Sequence, residues 1–535
     1  MIFRDLVLDR IRASGESVFL VDASTGREFT YAQFHKQACG VAAYLREQGV
    51  RRGDRVATMA PNCPELAVVY FACLYCGATI VPVNPNLSAS EADYILANCR
   101  PKCTVVSASA QQKLASVLHG AISLSTAQDP VTPDVGPVID LNRLADSSQF
   151  VPLSETGDND LALIVYTSGT TAKPKGLAHH VGPMVRNAMA FAEAQEVDSN
   201  SRFYLTLSMA YMGGFYNLLL LPFLTGASVA VDHVFDARSS LTFWERAGKF
   251  QVNTLWLSPT VLSILLKMDR GRQGEDYCRS SIRKTFVGFA PLPAKVKSEF
   301  EARYGVLLIE NYGLSETLFV TARSGKSADS HDKTQGYVGE SLPGIRLRAC
   351  DAHGSVVPSD EEGEIQLLTP DLMAGYLSEG GELQRVDAGA WFPTGDYGRI
   401  DHTGSLFITG RKKDLIIRGG INISPAAIEE VLLHAAHVVD AAVVSVPHEI
   451  YGEDMVAVLK LDPGTNLDSV LESIMTQCKQ ALAAHQQPSR YMAIDEFPRT
   501  SNGKIQKVRL RELVWEKLQI PPEDTASLAK QSTPA

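Results

Sequence analysis

The sequence predicts an α/β chain of several domains. The first is a large N-terminal unit of parallel sheet and helix, joined by a glycine-rich antiparallel region with the texture of a small β-barrel. A small α+β unit follows. Three observations carry this reading. The 535 residues exceed what one hydrophobic core organises, so two to four domains are expected. Apolar strand-like runs alternate with helical patterns from Thr30 to about Gly288, the rhythm of βαβ units. From Gly336 glycines crowd, helical patterns fade and short alternating segments such as Glu364–Leu368 and Ser405–Thr409 take over, as in antiparallel sheet. The charged stretch Gly410-Arg411-Lys412-Lys413-Asp414 then separates a compact strand–helix–strand remainder.

In chain order, Thr30 opens a helix reaching about Gln48, with Phe34, Ala38, Val41, Ala42 and Leu45 at helical spacing and Gly49 as its stop. Arg55–Ala60 reads as a strand. Leu66 to Val83 carries no charge over eighteen residues, but Gly77 interrupts it and Thr79–Val83 has strand composition. A buried helix, a turn and a buried strand are therefore predicted there, not a membrane span. Cys103–Val106 reads as a strand and residues 120–155 as loop. Pro183–Gln195 is predicted helical, with Pro183 suited to its first position. Strands are predicted at Phe203–Leu207, Ser228–Val231, Asn253–Leu257 and Thr285–Gly288, with an apolar segment Gly213–Leu224 ending at Gly226.

The composition is 45% apolar and 21% charged, ordinary for globular protein, and the formal net charge of −10 argues against nucleic acid or an anionic membrane as partner. Nine cysteines include the spacing Cys73-x-x-Cys76, inside an apolar run without a nearby histidine, so packing is expected rather than a metal or redox centre. Reduced cysteines and a charged N-terminus without a signal-peptide pattern point to a cytoplasmic protein. The residues after Ile520 are expected to be disordered.

One stretch stands out chemically. After the apolar run Leu161–Val165 comes Tyr166-Thr167-Ser168-Gly169-Thr170-Thr171-Ala172-Lys173-Pro174-Lys175-Gly176. Short hydroxyls, glycine-freed backbone N–H groups and lysines suit a polyphosphate cradle. The P-loop pattern of the common NTPases fails, because Lys175 precedes Gly176 and no hydroxyl follows in register.

Taken with four later blocks, this stretch resembles the adenylate-forming superfamily: AMP-forming acyl-CoA synthetases, peptide-synthetase adenylation domains and firefly-type luciferases. The blocks are Glu310-Asn311-Tyr312-Gly313-Leu314-Ser315-Glu316, Trp391–Asp396, Gly410–Asp414 and Pro498–Ile505, in the family's order. The resemblance covers roughly residues 25 to 515 and is closest to the acyl-CoA synthetases, through Arg418-Gly419-Gly420-Ile421-Asn422-Ile423-Ser424-Pro425. It implies an αβαβα large domain over 1–410, a hinge at 411–413, a mobile small domain over 414–520 and a tail from 521.

The resemblance also implies roles. Thr167, Ser168, Gly169, Thr170, Thr171 and Lys175 would hold ATP phosphates. Ala290, Pro291, Glu310, Asn311 and Tyr312 would hold the adenine end, with Tyr312 as a stacking face. Asp396 and Arg411 would hold the ribose or phosphate. Glu316 and Thr167 would bind Mg2+, with Ser315 beside them. Lys504 would bridge the carboxylate and the α-phosphate, and Lys413 would sit at the pivot. Arg418, Gly419 and Gly420 would pass coenzyme A. Tyr211, Met212, Gly213, Gly288, Phe289 and Gly313 would line an acyl pocket. Oligomeric state stays open.

Two departures matter. Ala172 stands where the family usually has glycine. Phe289, in Val287-Gly288-Phe289-Ala290-Pro291, replaces a second glycine, so its ring either shortens the acyl pocket or turns into the core. The pocket lacks an acid for an α-amine, and no arginine suggests a dicarboxylate. The expectation is activation of a small-to-medium aliphatic or aromatic monocarboxylate and transfer to CoA. A ligase that loads a carrier protein, or a luciferase-like oxygenase, is the alternative.

Overall fold

The computed structural model describes residues 3–116, 118, 120–131, 137–144, 156–167, 174–323, 336–499 and 505–521. Among them three sheets form. A nine-stranded sheet runs, edge to edge, through Leu383–Arg385, Gly375–Leu377, Lys175–His180, Leu161–Thr167, Thr79–Pro82, Arg55–Met59, Cys103–Ser107, Ile122–Leu124 and Val138–Ile139. The last two strands, with a short helix Leu141–Leu144, fall where the sequence suggested loop. They are two or three residues long, too short to show alternation.

A thirteen-stranded sheet joins the two textures seen in the sequence. Its parallel part includes Arg202–Leu205, Thr254–Leu257, Lys284–Val287 and the start of Leu308–Leu314. The end of Leu308–Leu314 pairs antiparallel with Leu318–Ala322, and the glycine-rich strands Tyr337–Ser341, Ser405–Arg411, Phe392–Ile400, Gly363–Leu368 and Arg346–Cys350 continue from there. The antiparallel region is thus hydrogen-bonded to the parallel sheet.

Helices Tyr31–Glu47, Pro64–Tyr75, Val181–Ala194 and the apolar segment from Gly213 lie between these two sheets and share one core with both. All twelve residues of Pro64–Tyr75 are buried, because both of its faces meet protein, and this is why it shows no polar stripe. Pro64 starts this helix, with the Cys63 Sγ accepting from Leu66 N–H. Thr30 and Gln33 form a capping box on the Tyr31 helix. Pro183 sits at the third residue of its helix, not the first, since Val181 already has helical geometry. Further helices pack on the outer faces: Ala89–Cys99 on the nine-stranded sheet, and Phe243–Lys249, Pro259–Met268 and Ala294–Tyr304 on the other. The five-layer αβαβα order follows. Among the described residues no helix is long and apolar enough to cross a membrane.

The remaining sheet is built from Ile416–Arg418, Ile421–Ile423, Val438–His448, Gly452–Leu461 and Arg490–Ala493. Helices Pro425–Leu433 and Leu467–Ala481 cover one face and Lys507–Lys517 the other, giving this unit cores of its own. It touches the large unit where Glu430 Oε1 accepts from Ala294 N–H at 3.0 Å and where Lys412 pairs with Glu364 at 2.7 Å.

Phe71 sits at the centre of an aromatic cluster, 4.5 Å from Phe223 and 5.0 Å from Phe34 between ring centroids. Replacing it with alanine leaves a cavity between the sheets. Phe71→Ala is expected to cost about 3–5 kcal/mol, read as a lower thermal midpoint of the large unit.

Candidate active site

The hairpin made by Leu161–Thr167 and Lys175–His180 places Thr167 opposite Lys175. Both stand at its loop end. The connecting residues 168–173, with Ser168, Gly169, Thr170, Thr171 and the alanine at 172, lie outside the described residues, as does Lys504.

Next to this hairpin comes a strand not singled out from the sequence, Gly375–Leu377, whose Tyr376 pairs with Leu177. The Lys175 ammonium lies 5.9 Å from the centroid of the Tyr376 ring. The Tyr376 hydroxyl donates to Glu316 Oε1 at 2.8 Å. One side chain thus links a phosphate-hairpin lysine to the proposed metal carboxylate. The sequence did hold a signal, a glycine before an aromatic in a short apolar segment: a Cβ at Gly375 would meet Gln384 O at 2.0 Å.

Glu316 lies in the tight turn after Leu308–Leu314, where Thr317 Oγ1 accepts from Leu314 N–H at 3.2 Å. Two further contacts hold the turn. Met373 N–H donates to the Glu316 carbonyl at 2.9 Å. His179 Nε2 lies 2.6 Å from the Ser315 carbonyl. Glu316 Oε2 has no partner among the described residues. No cluster of three or more His, Cys, Asp or Glu side chains occurs among them either. This donor set fits magnesium, which is commonly held by one or two carboxylates plus substrate phosphates and water.

The strand before the turn carries residues expected at the nucleoside end. The Tyr312 hydroxyl donates to Asp396 Oδ2 at 2.6 Å, and Arg411 Nε lies 2.9 Å from Asp396 Oδ1. Asp396 and Arg411 are direct cross-strand partners. Burial and the Asp396 charge push the Tyr312 hydroxyl pKa well up, so it stays a donor. Tyr312 therefore orients the carboxylate through its hydroxyl, a role that stacking alone did not suggest. Asn311 Nδ2 donates to the Val287 carbonyl at 3.2 Å, fixing the strand end beside Gly288. Glu310 points the other way, 3.2 Å from Lys297 Nζ and 3.6 Å from Arg323.

At the acyl side, Asn84 Nδ2 donates to Tyr211 Oη at 3.1 Å. Phe289 has φ +73°, a conformation that favours glycine. Its side chain is 37% exposed, so it does not turn into the core. The ring lies against Gly213, where a Cβ would come within 2.8 Å of Phe289 Cε1. Gly213 in turn begins a helical stretch wound with the wider π spacing, Gly213–Leu220. Ala290 and Pro291 follow on a partly exposed turn.

On the small unit, Arg418 pairs with Asp454 at 3.3 Å, donates to the carbonyls of His485 and Gln487, and faces the Tyr451 ring. Gly419 and Gly420 both have positive φ, and Gly420 has open space where a Cβ would stand. Lys413 is exposed in the 412–414 turn between the units.

Comparison with known proteins agrees with this geometry. The description "AMP-binding enzyme" fits residues 8–377 and "AMP-binding enzyme C-terminal domain" fits residues 427–504. The chain belongs to the AMP-binding enzymes, and adenylate formation of the acyl-CoA ligase type is its family-level function. It is 31% identical to the indoleacetate–CoA ligase of Aromatoleum aromaticum over 92% of this chain and 94% of that one. It is 28% identical to the medium-chain fatty-acid–CoA ligase of Escherichia coli, over 95% and 89%. The ATP-bound structure of MatB from Rhodopseudomonas palustris superposes with a TM-score of 0.82 at 27% identity, covering 96% of this chain and 99% of that one.

His179 is wholly buried, and desolvation brings its pKa down to about 4, with His180 disfavouring the proton further and the Ser315 carbonyl partly offsetting this. Its unfolded value is near 6.5, so between these values the unfolded chain binds the proton and the folded one does not. Stability is then full above about pH 6.5 and is lost as pH falls toward 4, by at most on the order of 3 kcal/mol. Thermal midpoints across that window should fall more steeply for the wild type than for His179→Gln.

Proposed function

We propose that this chain uses ATP and magnesium to convert a small-to-medium apolar monocarboxylic acid into an acyl adenylate, then transfers the acyl group to coenzyme A. One observation carries the reading. The segment 308–316 delivers Tyr312, which with Arg411 sets Asp396, and four residues later Glu316, which Tyr376 ties to the phosphate hairpin. A nucleoside end and a polyphosphate end are thus spaced along one stretch of backbone.

In the first step a carboxylate oxygen attacks the α-phosphorus, and the bond to pyrophosphate breaks. Asp396 accepts from the ribose hydroxyls, which anchors the nucleotide for in-line attack. Lys175 and the hydroxyl of Thr167 face the departing phosphates, and Lys504 brings positive charge to the point where two anions meet. Magnesium, held by Glu316, would neutralise phosphate charge. In the second step the CoA thiolate attacks the acyl carbon and AMP leaves. Rotation about Lys413 exchanges the Lys504 face for the Arg418-Gly419-Gly420 face. The open side of Gly420 suits passage of a narrow thiol arm. Support for the acid comes from Phe289, whose apolar ring lies partly exposed against Gly213. Indoleacetate and medium-chain fatty acids, named for two relatives, are apolar monocarboxylates too.

A panel of carboxylic acids assayed for ATP-dependent pyrophosphate release identifies the substrate. No release with any acid overturns the reading, and thioester formation on a phosphopantetheinyl carrier but not on CoA overturns the acceptor. Lys504→Ala is expected to reduce pyrophosphate release by about 100-fold or more while sparing thioester formation from supplied acyl adenylate. Phe289→Gly is expected to shift preference toward longer acids by about 10-fold in kcat/KM per added methylene, measured on a homologous acid series.

A further inference from the structure

The strand Lys175–His180 sends alternate side chains to opposite faces, so His179 points with Leu177 toward the main core between the sheets. The imidazole is fully buried. Its Nε2 lies 2.6 Å from the Ser315 carbonyl, and its Nδ1 has no hydrogen-bond partner among the described residues. A carbonyl only accepts, so Nε2 carries the proton and the ring is the neutral Nε2–H tautomer. Leucine would fill such an apolar site without stranding a nitrogen. The ring therefore has a use beyond packing, and among the described residues the group it bonds is Ser315.

That contact joins two segments that must stay in register. His179 lies four residues after Lys175 on the phosphate hairpin, and Ser315 immediately precedes Glu316. Nothing in the peptide between Ser315 and Glu316 turns freely once the Ser315 carbonyl, the Glu316 carbonyl and Glu316 Oε1 are held by His179, Met373 and Tyr376 respectively. Loss of the Ser315 contact would free the turn at its first peptide while the other two remain.

We propose that His179 is a positioning residue for the metal–phosphate end of the site: its Nε2–H fixes the Ser315 carbonyl and so aims the Glu316 carboxylate. The inference rests on the reading of Glu316 as the magnesium carboxylate. Like other groups that orient a ligand without touching the metal, it acts on metal affinity more than on the acid.

The full-length chain, His179→Leu, His179→Gln and Glu316→Gln are compared with the acid found by the panel. Two quantities are read: the magnesium concentration giving half-maximal pyrophosphate release, and the magnesium-dependent part of the thermal upshift caused by ATP. His179→Leu should raise the magnesium requirement by about 10-fold and shrink the magnesium-dependent upshift, with KM for the acid unchanged. His179→Gln, which can still present an N–H to Ser315, should restore most of both. If the leucine variant does not fold, His179→Asn, whose shorter arm falls short of Ser315, takes its place. A uniform fall in kcat at unchanged magnesium requirement, or glutamine behaving no better than leucine or asparagine, overturns the proposal. If Glu316→Gln also leaves the magnesium requirement unchanged, it is the metal reading that fails instead.

Discussion

The strand Leu308–Leu314 has to satisfy the parallel and the antiparallel part of one sheet at once, and the candidate site is arranged around that demand. Its first residues pair parallel with Lys284–Val287, and its last pair antiparallel with Leu318–Ala322. The changeover falls between Glu310 and Asn311, and a register shift between Tyr312 and Gly313 interrupts the antiparallel ladder that follows. A Cβ at Gly313 would lie 2.2 Å from the Leu318 carbonyl, so the close return of the chain requires glycine there. The parallel half is covered on both faces, as parallel sheet requires. The antiparallel half is free to carry Asp396 and Arg411 on neighbouring strands. The candidate site residues Tyr312, Asp396 and Arg411 lie where this sheet changes from parallel to antiparallel pairing.

The large elements were legible because their signals are physical and local. The Pro64 helix shows a proline start and a glycine stop, and Ser228–Val231 shows a short β-branched run before it is ever seen paired. Asp396, Glu316 and Arg411 could be named because they fall in blocks that resemble those of a known family; by residue type alone each would pass as a turn or linker charge. Tyr376 and His179 escaped for another reason. Neither belongs to a polar motif, and each gains its meaning from a partner at least 60 residues away: Tyr376 from Glu316 and His179 from Ser315. The tyrosine at 312 shows the limit differently. An aromatic beside a nucleotide suggests its face, whereas here its hydroxyl makes the defining bond.

Charge is distributed with the same economy. In a chain of net charge −10 the cations proposed to meet a polyanion stand at strand ends and turns: Lys175 at the loop end of a hairpin, Arg411 at the end of its strand, Arg418 beside a glycine pair. Arg411 and Arg418 are themselves paired, with Asp396 and Asp454, and ion pairs also occur away from the site. Asp232 holds Arg246, and Asp371 holds Arg186. The acidic remainder of the surface imposes no general attraction for phosphates, so nucleotide binding depends on these few placed groups.

The left-handed backbone at Phe289 has an evolutionary corollary. A bulky residue at φ +73° is held there against its own preference, on the order of 1 kcal/mol or more, and glycine alone is free of that strain. Changes that enlarge a binding pocket ordinarily erode the fold that carries them. At this position the two effects run in opposite directions, since losing the ring also releases the backbone. On the proposed reading of Phe289 as a wall of the acyl pocket, a lineage of this enzyme can broaden the acids it accepts by a single step to glycine without first accumulating compensating stability, and narrowing the pocket again is the step that costs the fold.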